Sequence, residues 1–408
     1  MTGHVNPIAG RLCAVWLCFE FRYFDFGFFS LAHQRVVMPL NIESFDQTDA
    51  PRVDTYEEWQ AEQGIPVVRG FHVPDIKQLE VSPWDLKGAH GSFIRLDGAG
   101  KATDAYVCEI PPGGKLKPQR HLYEERVYIA SGRGATAVWQ SDGRKHSFEW
   151  QAGSLFAVPL NAWYQHFNGS GSEPARYFAV TNAPLMMNLF HNPDFIFQND
   201  FRFTDRFKGE DHDFFGSHAK LYGRSWMSVN FVPDTHSLPL GDQSERGPGA
   251  RNMKFDLAGQ VMCAHVSQFA VGTYKKAHFH SAGAHVLILS GKGCSVLWPQ
   301  HARERTRVDW GPGSLIVPPE LWLHQHQNLG VEPARYLALR WNNWRYPFVR
   351  MVEGSRRQSI KEGGTQLEYE DEDPKIHEEF EVALSQTGAT CRMGSTHPFC
   401  SEWNVSKT

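Results

Sequence analysis

The sequence predicts an all-β protein built from two similar barrels or sandwiches in tandem, and three observations lead there. The chain has 408 residues, enough for two domains that each bury a core. It also repeats itself. "GSLFAVPLNAWYQHFNGSGSEPARYFAV", starting at Gly153, returns as "GSLIVPPELWLHQHQNLGVEPARYLAL" from Gly313, so that Pro159 matches Pro319, His166 matches His326 and Asn168 matches Asn328 at an offset of 160. "VYIASGRGATAVW" (127–139) returns as "VLILSGKGCSVLW" (286–298) at an offset of 159. A period this long means two related domains and not a solenoid. Within each repeat, short segments such as "VYIAS", "LFAVP" and "RYFAV" lie between Gly, Pro, Asn and Ser turns, the spacing of sandwich or barrel strands.

Taken in order, residues 1–50 read as an N-terminal extension. The apolar stretch 8–32 is interrupted by Arg11, Glu20, Arg22 and Asp25, which leaves no run of the roughly 20 residues a membrane helix needs. No clean apolar core leads into a small-residue cleavage site, so a signal peptide is not expected. Residues 1–37 are an extension or lie upstream of a start at Met38. Residues 51–99 form an arm with one short helix, "DTYEEWQAEQG", where Asp54 and Thr55 precede Glu57 and Glu58 and Gly64 stops it. Residues 100–182 form the first barrel and 183–255 a connector ending in the loop-like "GDQSERGPGARN". The second barrel spans 256–345. In the segment 346–408, Asp373 caps a helix carrying Ile376, Phe380 and Leu384 on one stripe, and the preceding "EYEDED" reads as a solvated face.

The net charge of −4 gives no reason to expect nucleic acid, and a small organic substrate fits better. The cysteines, Cys13, Cys18, Cys108, Cys263, Cys294, Cys391 and Cys400, are odd in number and form no CxxC pair. They indicate neither a zinc ribbon nor a full disulfide framework, and free thiols in a cytoplasmic setting are expected.

The chemistry centres on "KKAHFHSAGAH" (275–285). In a strand, His278 and His280 share a face, and His324 and His326 of "HQH" do the same. Imidazoles suit Zn, Fe, Cu and Ni, and three of them with open positions hold a catalytic ion. On its own the HxH spacing fits two ordinary histidines equally well.

With the repeat, these residues resemble the cupin superfamily, specifically the two-domain bicupins. The first family motif, G(X)5HXH(X)3,4E(X)6G, matches Gly272, His278, His280 and Gly291; the second, G(X)5PXG(X)2H(X)3N, matches Gly313, Pro319, His324 and Asn328. The resemblance implies two double-stranded β-helix (jelly-roll) barrels with a few peripheral helices. It places His278, His280 and His324 as ligands of one divalent transition metal per chain. Ala284 stands where the family has glutamate, so a three-histidine site is expected, with His285 a ligand only if a bulge turns it inward. Leu321 replaces the motif glycine and should alter that turn. In the first repeat, Gln119, His121, Glu125 and Tyr164 occupy the ligand positions, with His166 on the Tyr164 face; this site is degenerate.

Around the metal, His326 could shuttle a proton or be a satisfied core histidine. Arg340 could bind a substrate carboxylate or form a surface salt bridge. Trp298, Trp310, Trp322 and Trp341 could line an aromatic pocket or simply pack the core. Three-histidine barrels resemble ring-cleaving dioxygenases of the gentisate type and thiol dioxygenases. That resemblance implies an Fe(II)-dependent dioxygenase that takes O2 and a small aromatic or carboxylated substrate. The alternatives are a Mn, Zn or Ni decarboxylase, isomerase or hydrolase of the same fold, or a non-catalytic small-molecule-binding bicupin. No separate organic cofactor, nucleic acid or membrane partner is expected; bicupins pair through their barrels, so a homo-oligomer is open.

Overall fold

Each repeat folds into a jelly-roll barrel with one large sheet and one three-stranded sheet. The structure, a computed structural model, describes residues 52–400 except Asp142, 210–212, Ser217, Ala282, Asn342, Trp344, 347–357 and Ser395. The expectations for the N-terminal extension, including Met38, Cys13 and Cys18, lie outside these residues. No helix among the described residues is long and apolar enough to cross a membrane.

In the first barrel the large sheet is built on Ala89–Leu96, Asp104–Ile110, Ala175–Thr181, Glu125–Ser131 and Leu155–Val158, in that order. The facing sheet is Trp163–Asn168, Arg133–Trp139 and His146–Gln151. The second barrel repeats the plan with Arg251–Asp256, Cys263–Phe269, Ala334–Arg340, His285–Ser290 and Leu315–Ile316 against Thr306–Trp310, Gly293–Pro299 and Trp322–Asn328. Each large sheet begins before the expected barrel start, because Ala89–Leu96 pairs with Asp104–Ile110 and Arg251–Asp256 with Cys263–Phe269. The connector is also more ordered than its composition suggests, with helices Ala183–Phe190 and Pro193–Phe197 and several short strands.

Successive side chains of the large sheets serve two different cores. Tyr106, Cys108, Val127, Ile129 and Tyr177 fill the first barrel, and Val286, Ile288, Tyr336 and Ala338 belong to the second. The alternate residues, Ala105, Val107, Tyr128 and Phe178 on one side and Ala264, Val266, Leu337 and Leu339 on the other, merge into one seam between the barrels.

The segments that lead into the barrels are exchanged across this seam. His72 and Val73 pair antiparallel with Ile316 and Leu315 of the second barrel, while Phe231 and Val232 pair with Phe156 and Leu155 of the first. Both are followed by Pro-Asp, at 74–75 and 233–234, and the anchors correspond. Ser314 Oγ donates to Pro74 O at 2.7 Å and Ser154 Oγ to Pro233 O at 2.8 Å. Arg176 donates to the carbonyls of Ile76, Lys77 and Leu79, and Arg335 to those of Thr235, His236 and Leu238. Gly313 has φ +93°, and a Cβ there would come within 2.2 Å of Asp75 Oδ1, so this position needs glycine on both counts.

The helices follow their caps. Asp54 accepts from Glu57 N and starts Thr55–Glu62; Asp373 accepts from Lys375 N and starts Pro374–Thr387, whose Ile376, Phe380 and Leu384 are buried. The acidic run before the second helix is not simply solvated, since Tyr369 and Glu372 are buried.

Leu315 is fully buried in the seam beside Val73. Leu315→Ala is expected to cost about 2–5 kcal/mol by urea denaturation, and both barrels should be lost in one transition. Two separate transitions with only one of them shifted would contradict the exchange.

Candidate metal centre

The second barrel brings His278, His280 and His324 together, with one ligand nitrogen from each lying within 4.8 Å of the others. Their ring centroids are 4.4 Å (His278 to His324), 4.7 Å (His280 to His324) and 5.7 Å (His278 to His280) apart. His324 comes from the strand Trp322–Asn328; His278 pairs with it through reciprocal backbone hydrogen bonds, 278 N to 324 O at 3.1 Å and 324 N to 278 O at 2.9 Å. The residues fit a metal. Nδ1 of His280 lies 2.7 Å from Ser281 O and Nδ1 of His324 lies 3.1 Å from Trp322 O. Each carbonyl takes an Nδ1–H and so leaves the Nε2 lone pair for an ion. The buried Nδ1 of His278 has no hydrogen-bond partner. Burial keeps all three rings neutral, pushing His278 and His280 well below the usual histidine value and His324 to about 4.

Leu321, in place of the motif glycine, does not alter the turn. It takes φ 62°, close to the 57° of its counterpart Asn161, and its N–H donates to His280 O at 3.0 Å. An L-residue in this region carries strain of about 1–2 kcal/mol, which the surrounding barrel holds in place.

His285 lies elsewhere. Its strand sends Val286 and Ile288 into the barrel and Leu287 and Leu289 into the seam, so His285 goes with the seam, while Ala284 lines the cavity. No bulge turns His285 inward at the start of the strand; its register opposite Leu339 continues regularly through Val286 and Leu287.

A cavity of about 480 Å³ opens over the histidines. Arg340 and His326 line it as their strand positions predict. His326 Nδ1 is 2.7 Å from Ser295 Oγ, which also accepts from Trp310 Nε1 at 3.1 Å, and Arg340 Nε donates to Cys263 Sγ at 3.3 Å. The four tryptophans singled out in the sequence are not cavity residues; Trp310 packs the barrel core and Trp341 the seam. The aromatic walls are instead Tyr222, Trp226 and Tyr336.

Sequence reasoning missed Arg246, Lys254, His265 and Lys275, all of which line the cavity. Arg246 sits in the stretch expected to be an exposed loop, yet it is buried and donates to Gln366 Oε1. The 159-residue offset, carried upstream of the barrel start, would have aligned it with Lys87. Burial lowers the pKa of Lys275, and its Nζ donates to Ser267 Oγ. Burial alone would raise the Tyr336 phenol, but Lys275, Ser267 and Arg246 outweigh it and leave it below the usual tyrosine value. The charged residues lining the cavity, Arg246, Lys254, Lys275 and Arg340, are all cationic.

In the first barrel His121, Glu125 and Tyr164 bond to one another, while His166 Nε2 has no hydrogen-bond partner. His121 Nε2 is 3.0 Å from Glu125 Oε2 and 3.2 Å from Tyr164 OH, and Tyr106 OH donates to Glu125 Oε1 at 2.7 Å. Gln119 Nε2 turns away to the carbonyls of Leu86, Lys117 and Pro118. His166 Nδ1 is 2.7 Å from Thr136 Oγ1. The fully buried Lys87 supplies the positive charge, with Nζ 3.3 Å from Tyr164 OH. Burial raises the Glu125 pKa, but Lys87 and His121 more than offset it and hold the carboxyl well below its usual range.

No protein-family model matches the sequence, and no curated protein matches it. Solved structures of oxalate decarboxylase, one of them from Bacillus subtilis and concerned with Mn(II) centres, align with TM-scores of 0.45 at 13% identity, covering 67% of this chain and 78% of theirs. A likeness of this extent decides neither substrate nor metal, which rest on the residues themselves.

His280→Ala and His324→Ala should each remove the metal equivalent held by the cavity histidines, read by elemental analysis as a loss relative to the unaltered protein, whereas His285→Leu should cause no such loss. Lys87→Met should destabilise the protein by about 3–5 kcal/mol in denaturant titrations, because it leaves Glu125 buried without its cation.

Proposed function

We propose that this protein is a metal-dependent enzyme acting on a small carboxylate, with the metal held by His278, His280 and His324. The observation that carries the proposal is a neutral three-histidine cluster under a cavity whose charged lining is wholly cationic. A divalent metal there would supply Lewis acidity and, as Fe(II), electrons for O2 chemistry. It would also add positive charge to a pocket lined by Arg246, Lys254, Lys275 and Arg340, so the fitting ligand is an anion.

Within this reading, the Fe(II)-dependent dioxygenase comes first. Tyr222, Trp226 and Tyr336 offer flat faces to an aromatic acid, and the cavity volume suits one. Arg340 orients the carboxylate, and His326, held through Nδ1 by Ser295, can take up a substrate hydroxyl proton at Nε2. The second reading, a redox-neutral decarboxylase using Mn, Zn or Ni, is favoured by Tyr336. Its phenol, acidified by Lys275, can return a proton to the carbon that loses CO2.

The test is full-chain protein reconstituted anaerobically with Fe(II), Mn(II) or Zn(II) and offered hydroxylated aromatic acids and small aliphatic acids. O2 uptake with the iron form supports the dioxygenase, and CO2 release without O2 supports the decarboxylase. In either case Arg340→Met should raise KM about tenfold, with a smaller change in kcat. Stoichiometric metal with neither O2 uptake nor CO2 release would leave the non-catalytic binding protein.

A further inference from the structure

A second group of ligand-type side chains lies outside the barrel cavity. His377 and Glu381 stand one turn apart on a single face of the helix Pro374–Thr387, and the chain beyond the helix brings Cys391 and Cys400 back against them. One ligand atom from each of the four lies within 4.8 Å of the others. We propose that these four residues hold a structural zinc ion.

The separations are those of a coordination shell. Cys391 Sγ lies 3.5 Å from Cys400 Sγ and 3.8 Å from His377 Nε2. Glu381 Oε1 lies 3.3 Å from His377 Nε2 and 3.7 Å from Cys400 Sγ. A tetrahedral zinc with Zn–S of about 2.3 Å and Zn–N or Zn–O of about 2.05 Å has edges of about 3.8 Å for S–S, 3.5 Å for S–N or S–O, and 3.3 Å for N–O. Two thiolates, an imidazole and a carboxylate form the mixed soft and borderline donor set that zinc favours.

The surroundings support a closed structural site. Cys391 and Cys400 are buried in an apolar cluster with Tyr274, Phe380 and Met393. Tyr274 OH donates to Glu372 Oε1 at 2.6 Å, so its oxygen accepts from His377 Nδ1 at 3.0 Å. That hydrogen bond fixes the tautomer and leaves the Nε2 lone pair facing the two sulfurs, as a metal-bound histidine requires.

The ion would fasten the C-terminal segment to the barrel next to the cavity. Tyr369 OH donates to Tyr274 O at 2.7 Å, Leu367 N to Ala277 O at 2.9 Å, and Gln366 receives Arg246 while pairing with His278. The zinc therefore stabilises the wall that positions Arg246, and Tyr274, the partner of His377, stands four residues before His278.

Zinc K-edge X-ray absorption on the full chain, reconstituted with zinc under reducing conditions, tests the proposal. His324→Ala removes the contribution of the cavity site. The expected result is retention of one zinc by His324→Ala with about two sulfur scatterers near 2.3 Å, and loss of that zinc in Cys391→Ser. A shell of nitrogen and oxygen alone, no zinc retained by folded His324→Ala, or a Cys391 to Cys400 disulfide in the native protein that survives the reducing reconstitution would overturn it. If Cys391→Ser fails to fold, the scattering shell of His324→Ala alone decides.

Discussion

The central strands of each larger sheet have no solvent face, and this constraint shapes everything else. One side of each strand closes a barrel and the other closes the seam, so an alternating sequence cannot be sorted into wet and dry positions. It sorts instead into two kinds of interior. In the second barrel the inward side carries His265, Ser267 and Arg340, while the seam side carries Ala264, Val266, Leu337 and Leu339. Polar groups can collect inside because the cavity gives them water and ligand; the seam offers neither. His285 and Arg126, which correspond in the repeat, are exceptions on the seam side; burial drives the His285 pKa to about 4 and lowers that of Arg126.

The two barrels show two ways of satisfying one geometry. Where the second has three neutral imidazoles and an open cavity, the first has Glu125 bonded directly to His121, Tyr106 and Tyr164, with Lys87 beside them. A lysine attached to the chain stands beside the buried carboxylate, where the second barrel has three imidazoles and no carboxylate.

Much of this was legible in the sequence. The repeat established two like domains, strand alternation put His278, His280, His324 and His326 on shared faces, and the caps at Asp54 and Asp373 located both helices. What was hidden depends on contacts across long separations. The barrel edges were missed because their outer strands, Ala89–Leu96 and Arg251–Asp256, precede the clear part of the repeat. Arg246 was hidden by a Gly- and Pro-rich stretch that looks like surface loop until Gln366 covers it. Of the two roles open to the tryptophans, the core role holds, and bulk alone does not say which core a strand residue enters. Leu321 shows that a motif glycine can be replaced while the backbone keeps the conformation for which glycine was suited.

The exchanged segments also set an order of events during synthesis. Pro74 and Ser314, which bond to each other in the finished protein, are 240 residues apart in sequence. The strand His72–Val73 thus leaves the ribosome long before its partner exists, and its edge waits while more than half of the chain is made. The first barrel gains its own closing strand only when Phe231–Val232 emerges. The second barrel is thus completed by a segment that precedes the first, and the first by a segment of the connector, so neither repeat closes with its own stretch of chain alone.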